Sequence, residues 1–112
     1  MITVRERRTK KVIRVIDEKV PENTDIFSVL YKFQIEVHQK HNPYVKINEF
    51  HIGDDNYIKQ TSSTYKLRDI ILDFDGKSQY SVGKFYNMSR GTRIGLVQLI
   101  QNIHEKTYLL NH

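Results

Sequence analysis

Two histidines three residues apart, His38 and His41, with Glu36 before them and Glu49 after, are the first place to look for metal chemistry. On a helix that spacing sets two imidazoles on one face, where they can share a zinc ion. A zinc site of useful affinity takes three or four matched ligands, and a third would have to come from afar, so no metal is assigned here. The acidic section 49–75 is the second place: Glu49, Asp54, Asp55, Asp69, Asp73 and Asp75 stand against Lys59, Lys66 and Arg68. Clustered carboxylates can hold magnesium for phosphoryl chemistry, which would make the chain a small nuclease. Asp73-Phe74-Asp75-Gly76 opens as a calcium loop does, but Lys77, Ser78 and Gln79 fill the next ligand positions and no Glu closes the loop. Asp75-Gly76 therefore reads as a turn and the other acids as solvated surface. His104 falls in the last turn of a helix, where positive charge is favoured without function. Thr61-Ser62-Ser63-Thr64 reads as a polar loop with no base nearby in sequence, and no nucleophile elbow, Walker loop or Rossmann glycine pattern occurs. No catalytic residue and no cofactor is expected.

The chain has no cysteine, which excludes disulfides, thiolate metal sites and a cysteine nucleophile together. Its 112 residues suit one domain, 1–112, with a single core. At 38% hydrophobic and 28% charged it is too apolar for disorder. No apolar run approaches the roughly 20 residues that cross a bilayer, and the start turns basic too soon for a secretory signal. The expected setting is the reducing cytoplasm, away from membranes.

Charge offers more than catalysis does. Arg5, Arg7, Arg8, Lys10, Lys11 and Arg14, against the single acid Glu6, give residues 1–14 a net +5, equal to the formal +5 of the whole chain. Such a patch suits phosphate backbones or an acidic protein face, whereas guarding a strand edge needs only one or two charges. A second basic stretch, Lys77, Lys84, Arg90 and Arg93, is interleaved with Tyr80, Phe85 and Tyr86. Charge with stacking can cradle a single strand, although half of these aromatics are expected in the core.

The elements that must position these groups follow from apolar spacing. Residues 2–8 and 11–16 are β-branched runs that predict an N-terminal hairpin turning at Arg8-Thr9-Lys10. Pro21 and Pro43 bracket a predicted helix over 24–41, carrying Ile26, Val29, Leu30, Phe33 and Val37 on one face. Strands are expected over 44–52 and 57–60, joined by Gly53-Asp54-Asp55-Asn56. Residues 64–75 fit helix or strand; the hairpin through Asp75-Gly76 is preferred, with a return strand over 77–85. A last helix, 92–106, would be capped by Thr92 and face Ile94, Leu96, Val97, Ile100 and Ile103 inward. The sum is an α+β fold, an antiparallel sheet with an N-terminal β-hairpin and two helices packed on it. On the predicted first helix Phe27, Tyr31 and Ile35 form a second apolar stripe, which either packs under the last helix or docks a partner or a second copy of the chain.

With alanine and tryptophan absent and Ile, Lys and Asn abundant, the composition suggests an A/T-rich genome. The basic start Met1-Ile2-Thr3-Val4-Arg5-Glu6-Arg7-Arg8 and the compact α+β layout resemble the small accessory proteins of phages and mobile elements, anti-CRISPR inhibitors among them. The resemblance implies a protein that works by binding and carries over no individual residue. The expected function is a non-catalytic inhibitor that blocks a host protein or protein–nucleic acid complex handling nucleic acid. Its expected contacts are Arg5, Arg7, Arg8, Lys10, Lys11, Arg14, Phe27, Tyr31, Ile35, Lys84, Tyr86, Arg90 and Arg93. Direct binding of DNA or RNA by the same bases is the alternative, the magnesium nuclease comes third, and a homodimer is compatible with either binding role.

Overall fold

The computed structural model describes the backbone of residues 1–110 and the side chains of residues 1–106. The fold is α+β and begins with the expected hairpin, β1 (Ile2–Glu6) and β2 (Val12–Ile16). Glu6 sets its turn: its carboxylate accepts from the Thr9 amide at 2.7 Å and the Thr9 hydroxyl at 2.8 Å. The single expected sheet is instead two. One is four-stranded in the order β2-β1-β6-β7, with β6 at Ile70–Phe74 and β7 at Ser78–Ser81. The other is three-stranded, β3-β4-β5, from Ile35–His38, Tyr44–Ile52 and Ile58–Lys66. Every pairing is antiparallel.

The predicted helix 24–41 is the largest correction. Helix α1 spans only Ile26–Lys32, capped by the Asp25 carboxylate accepting from Phe27 N–H at 3.2 Å. Gln34 then takes the left-handed conformation, φ 68°, and the chain turns into β3. Ile35 and Val37 thus serve a strand, opposite Ile47 and Val45. The turns at Gly53–Asn56 and Asp75-Gly76 form as expected, the latter with positive φ at both residues. The return strand ends at Ser81, whose hydroxyl accepts from Lys84 N–H and caps α2 (Val82–Tyr86). The last helix, α3 (Arg90–Leu110), is capped by Ser89 rather than Thr92, since the Ser89 hydroxyl accepts from the Thr92 amide. Among the described residues no helix is long and apolar enough to cross a membrane.

One core joins both sheets and all three helices. Ile2, Val4, Ile16, Leu72 and Phe74 from the first sheet meet Val45 and Ile47 from the second, Val29 and Leu30 of α1, Phe85 of α2, and Val97 and Ile100 of α3. Each such side chain, fully withdrawn from water, contributes about 1.5–3 kcal/mol. Ile103, expected inward, is about half exposed.

Two polar fasteners hold the layers. Arg93 of α3 is buried and donates from Nε and Nη2 to the two oxygens of Asp25, while its Nη1 reaches the carbonyls of Phe85 and Met88. Arg14 of β2 crosses to the other sheet and donates to the Asn48 carbonyl at 3.0 Å. Asn48, itself buried, gathers Glu36, Gln60 and Ser62 around its amide.

Candidate functional site

The six N-terminal cations divide into two groups. Arg14 is held internally at the sheet-to-sheet junction. Arg5 lies 3.6 Å from the buried carboxylate of Asp73 and donates to the Lys10 carbonyl, and Arg7 pairs with Asp69 at 3.2 Å. Arg8, Lys10 and Lys11 are exposed at the turn, with no carboxylate in salt-bridge range among the described residues. Lys10 stands on left-handed backbone, φ 61°, which projects the tip of the hairpin.

The topology then adds cations that lie far apart in the sequence. The end of β1, the start of β6 and the end of β7 lie together, because Glu6 pairs with Ile70 and Ile71 with Ser81. A 3-10 turn at Leu67–Asp69 enters β6 there, α2 leaves β7 there, and the Arg7 amide donates to the Asp69 carbonyl. Gly83 of α2 lies so near the Leu67–Arg68 backbone that a Cβ would be 3.5 Å away. Arg8, Lys10, Lys11, Arg68 and Lys84 are therefore exposed at one end of the four-stranded sheet. The acids there are engaged: Asp69 by Arg7, and Glu6 by Thr9. The Thr9 amide and hydroxyl, outweighing slight burial and helped by the Arg8 amide and charge, hold the Glu6 carboxyl below its usual range and keep it a fixed anion inside the turn. The end keeps a positive field that an anionic surface can meet.

Other expected contacts are distributed differently. Arg93 is in the interior, so it is a structural cation and offers nothing to a partner. Its guanidinium stacks on the Phe27 ring at 4.2 Å, and Phe27 is buried. Ile35 is 0% exposed and Tyr31 67%, so Phe27, Tyr31 and Ile35 form no common stripe: the helix ends before Ile35. Lys84 packs its ammonium over Tyr80, 4.9 Å from the ring centre. Tyr86 is half-buried and donates to the Gln39 carbonyl, and Arg90 is exposed 4.0 Å from Asp25.

The sites considered for chemistry come apart. His38 lies on β3, stacked on Tyr44 at 4.4 Å, and His41 lies in the following loop. Glu49, Asp54 and Asp55 belong to the second sheet and its turn, and Asp69, Asp73 and Asp75 to the first, where Arg7 and Arg5 meet the first two. Among the described residues no three His, Asp or Glu side chains are grouped to hold a metal ion.

One arrangement is invisible in the sequence. Ser78 Oγ lies 3.4 Å from His104 Nε2, whose Nδ1 is 3.8 Å from the Asp75 carboxylate, beside a cleft of about 450 Å³ lined by Lys19, Lys77 and Gln101. The order is that of a nucleophile, a base and an orienting acid. The second link is too long for a hydrogen bond, and the nearest turn amides are occupied, Gly76 by Asp73 and Lys77 by Phe74. Those two amides are thus not free to serve as oxyanion donors, and the trio ties the last helix to the Asp75-Gly76 turn.

The β4–β5 ribbon carries a further feature. Beyond Asn48 no third strand joins it among the described residues, and Phe50, Ile52, Tyr57 and Ile58 are exposed near its tip. Phe50, Ile52 and Ile58 share one face, since Ile52 opposes Ile58 and Phe50 lies two residues from Ile52. No family model, curated protein or solved structure matches the chain.

Proposed function

We propose that the protein acts by binding: its basic end docks on an anionic face of a host factor that handles nucleic acid and blocks it, as an inhibitor carried by a phage or mobile element would. The observation that carries this reading is the set of exposed cations, Arg8, Lys10, Lys11, Arg68 and Lys84, gathered where both nearby acids are already bound. A basic phosphate-binding groove would repel this end; the fitting target is an acidic flank of the factor or the nucleic acid it carries. The apolar ribbon tip favours a protein target, because large apolar side chains supply interface energy that a phosphate backbone cannot return.

The experiment is capture from a bacterial host lysate with and without nuclease, followed by a salt titration of the captured complex. Capture that survives nuclease and fails in Arg8→Glu with Arg68→Glu supports the reading. Capture abolished by nuclease, with steep salt-dependent binding to bare DNA or RNA, replaces it with direct nucleic-acid binding.

A further inference from the structure

Exposed strand edges are normally guarded by short length, bulges, prolines or charge. Three of the four edges here are guarded. β7 and β3 have four residues each, and the chain beyond β3 is held by Tyr86 through the Gln39 carbonyl. β2 has a register shift against Val4–Arg5. β5 lacks the first three guards: it runs nine residues, keeps regular register with β4 from Ile58 to Lys66 and contains no proline. Its two charges, Lys59 and Lys66, lie near its ends and leave the stretch between them uncharged, and it is exposed from Ile58 through Thr64.

Its free hydrogen-bonding groups can be assigned. The Gly53 amide donates to the Tyr57 carbonyl, so Gly53–Tyr57 is a hydrogen-bonded position of the ribbon. Along an antiparallel ladder these positions alternate, so Lys59, Thr61, Ser63 and Tyr65 bond to β4. Ile58, Gln60, Ser62, Thr64 and Lys66 turn their amides and carbonyls outward.

We propose that β5 pairs with β5 of a second copy, antiparallel about Ser62, joining two three-stranded sheets into one of six strands. In that register every outward residue meets an outward residue: Ser62 meets Ser62, Gln60 meets Thr64, and Ile58 meets Lys66 of the second copy. The strand is its own complement over its whole length. Charge agrees, because Lys59 falls opposite Tyr65 and Lys66 opposite Ile58, so no two lysines face each other. The register that would set Lys59 against Lys66 is barred, since it would oppose outward groups to residues already bonded to β4. Thr61 opposite Ser63, and Ser62 opposite itself, place hydroxyls where cross-strand pairs hydrogen-bond. Pairing uses both copies' β5 edges, so the assembly closes at two.

The test is sedimentation velocity of the full chain across a wide concentration range, on the wild type and designed variants. The wild type is expected to move from one to two chain masses as concentration rises. Ser62→Pro removes an amide that β4 does not use, together with the Ser62 hydroxyl's bond to Asn48, and should hold the protein as a folded monomer. Circular dichroism checks this against Ser62→Ala, which loses the hydroxyl alone and should still dimerise. Gln60→Glu with Thr64→Glu sets like charges opposite each other across the axis and should weaken association about ten-fold or more, whereas Gln60→Lys with Thr64→Glu sets opposite charges there and should restore it. Both charge variants carry Thr64→Glu, opposite Lys46 within the monomer, and differ at position 60, whose side chain meets Asn48 Oδ1; with circular dichroism showing both folded, the pair remains decisive if the proline variant unfolds. A wild type that stays monomeric throughout, or a dimer indifferent to the charge swap, overturns the proposal.

Discussion

Arg93 and Asp25 form a buried two-pronged ion pair, with Nε 2.7 Å from Oδ1 and Nη2 2.5 Å from Oδ2, across 68 residues of sequence. Asp25 is also the cap of α1, so one carboxylate starts the first helix and ties it to the third. Removing one partner strands a charge in the core, and Arg93→Ala should cost about 3–5 kcal/mol. Urea unfolding followed by circular dichroism measures this, and a loss under about 1 kcal/mol would show that the pair is dispensable.

The same pair gives a pH signature. Burial works against the Asp25 charge most strongly, but the Arg93 hydrogen bonds, the Phe27 amide and the charges of Arg93 and Arg90 together outweigh it and hold the carboxyl below its ordinary value. A carboxyl with a depressed folded pKa stabilises fully above its unfolded value, about 3.9, and loses that contribution as pH falls through the folded value. The stability gap between wild type and Asp25→Asn should be widest at neutral pH and narrow below about pH 4. Urea melts at stepped pH check it.

The division of the six N-terminal cations can be tested singly. Arg8→Ala should change stability by less than about 0.5 kcal/mol while weakening anion binding, because Arg8 is exposed and meets no acid among the described residues. Arg14→Ala should cost about 1–3 kcal/mol, since it deprives the Asn48 carbonyl of its donor between the sheets. Thermal melts beside heparin or DNA binding in a salt series separate the two behaviours.

Tyr31 and Ile35 should respond oppositely to one substitution. Tyr31→Asp adds a charge to a surface already in water and should be tolerated, whereas Ile35→Asp buries an unpaired charge and should cost several kcal/mol. Equal losses in a thermal melt would mean that the two share an environment.

How much of this is legible in the sequence depends on whether the signal is local. The N-terminal hairpin and the Asp75-Gly76 turn are readable because β-branched runs and a turn dipeptide act over a few residues. The end of α1 is not: Ile26, Val29, Leu30, Phe33 and Val37 keep helical spacing past the real boundary, and the left-handed residue there is Gln34, without the glycine or asparagine that usually marks it. Residues 61–64 read as a loop because an edge strand exposed on both faces needs no apolar alternation. Arg93 looks like a surface base since nothing near it in sequence announces Asp25. The basic end is half visible, as Arg8, Lys10 and Lys11 are almost contiguous, but Arg68 and Lys84 join them only through strand pairing.

Strand β1 sits between β2, its immediate successor, and β6, which it meets as Ile2 with Phe74 and Glu6 with Ile70. Everything from Asp17 to Asp69, the entire three-stranded sheet included, is therefore looped out between two neighbours of one strand. The β1–β2 and β4–β5 ribbons close over short loops and can zip early, while the β1–β6 seam must wait for the long loop to close. Folding should thus be limited by that seam: substitutions at Leu72 or Val4 are expected to slow refolding, and those in the outer ribbon, such as Phe50→Ser, to leave its rate almost unchanged.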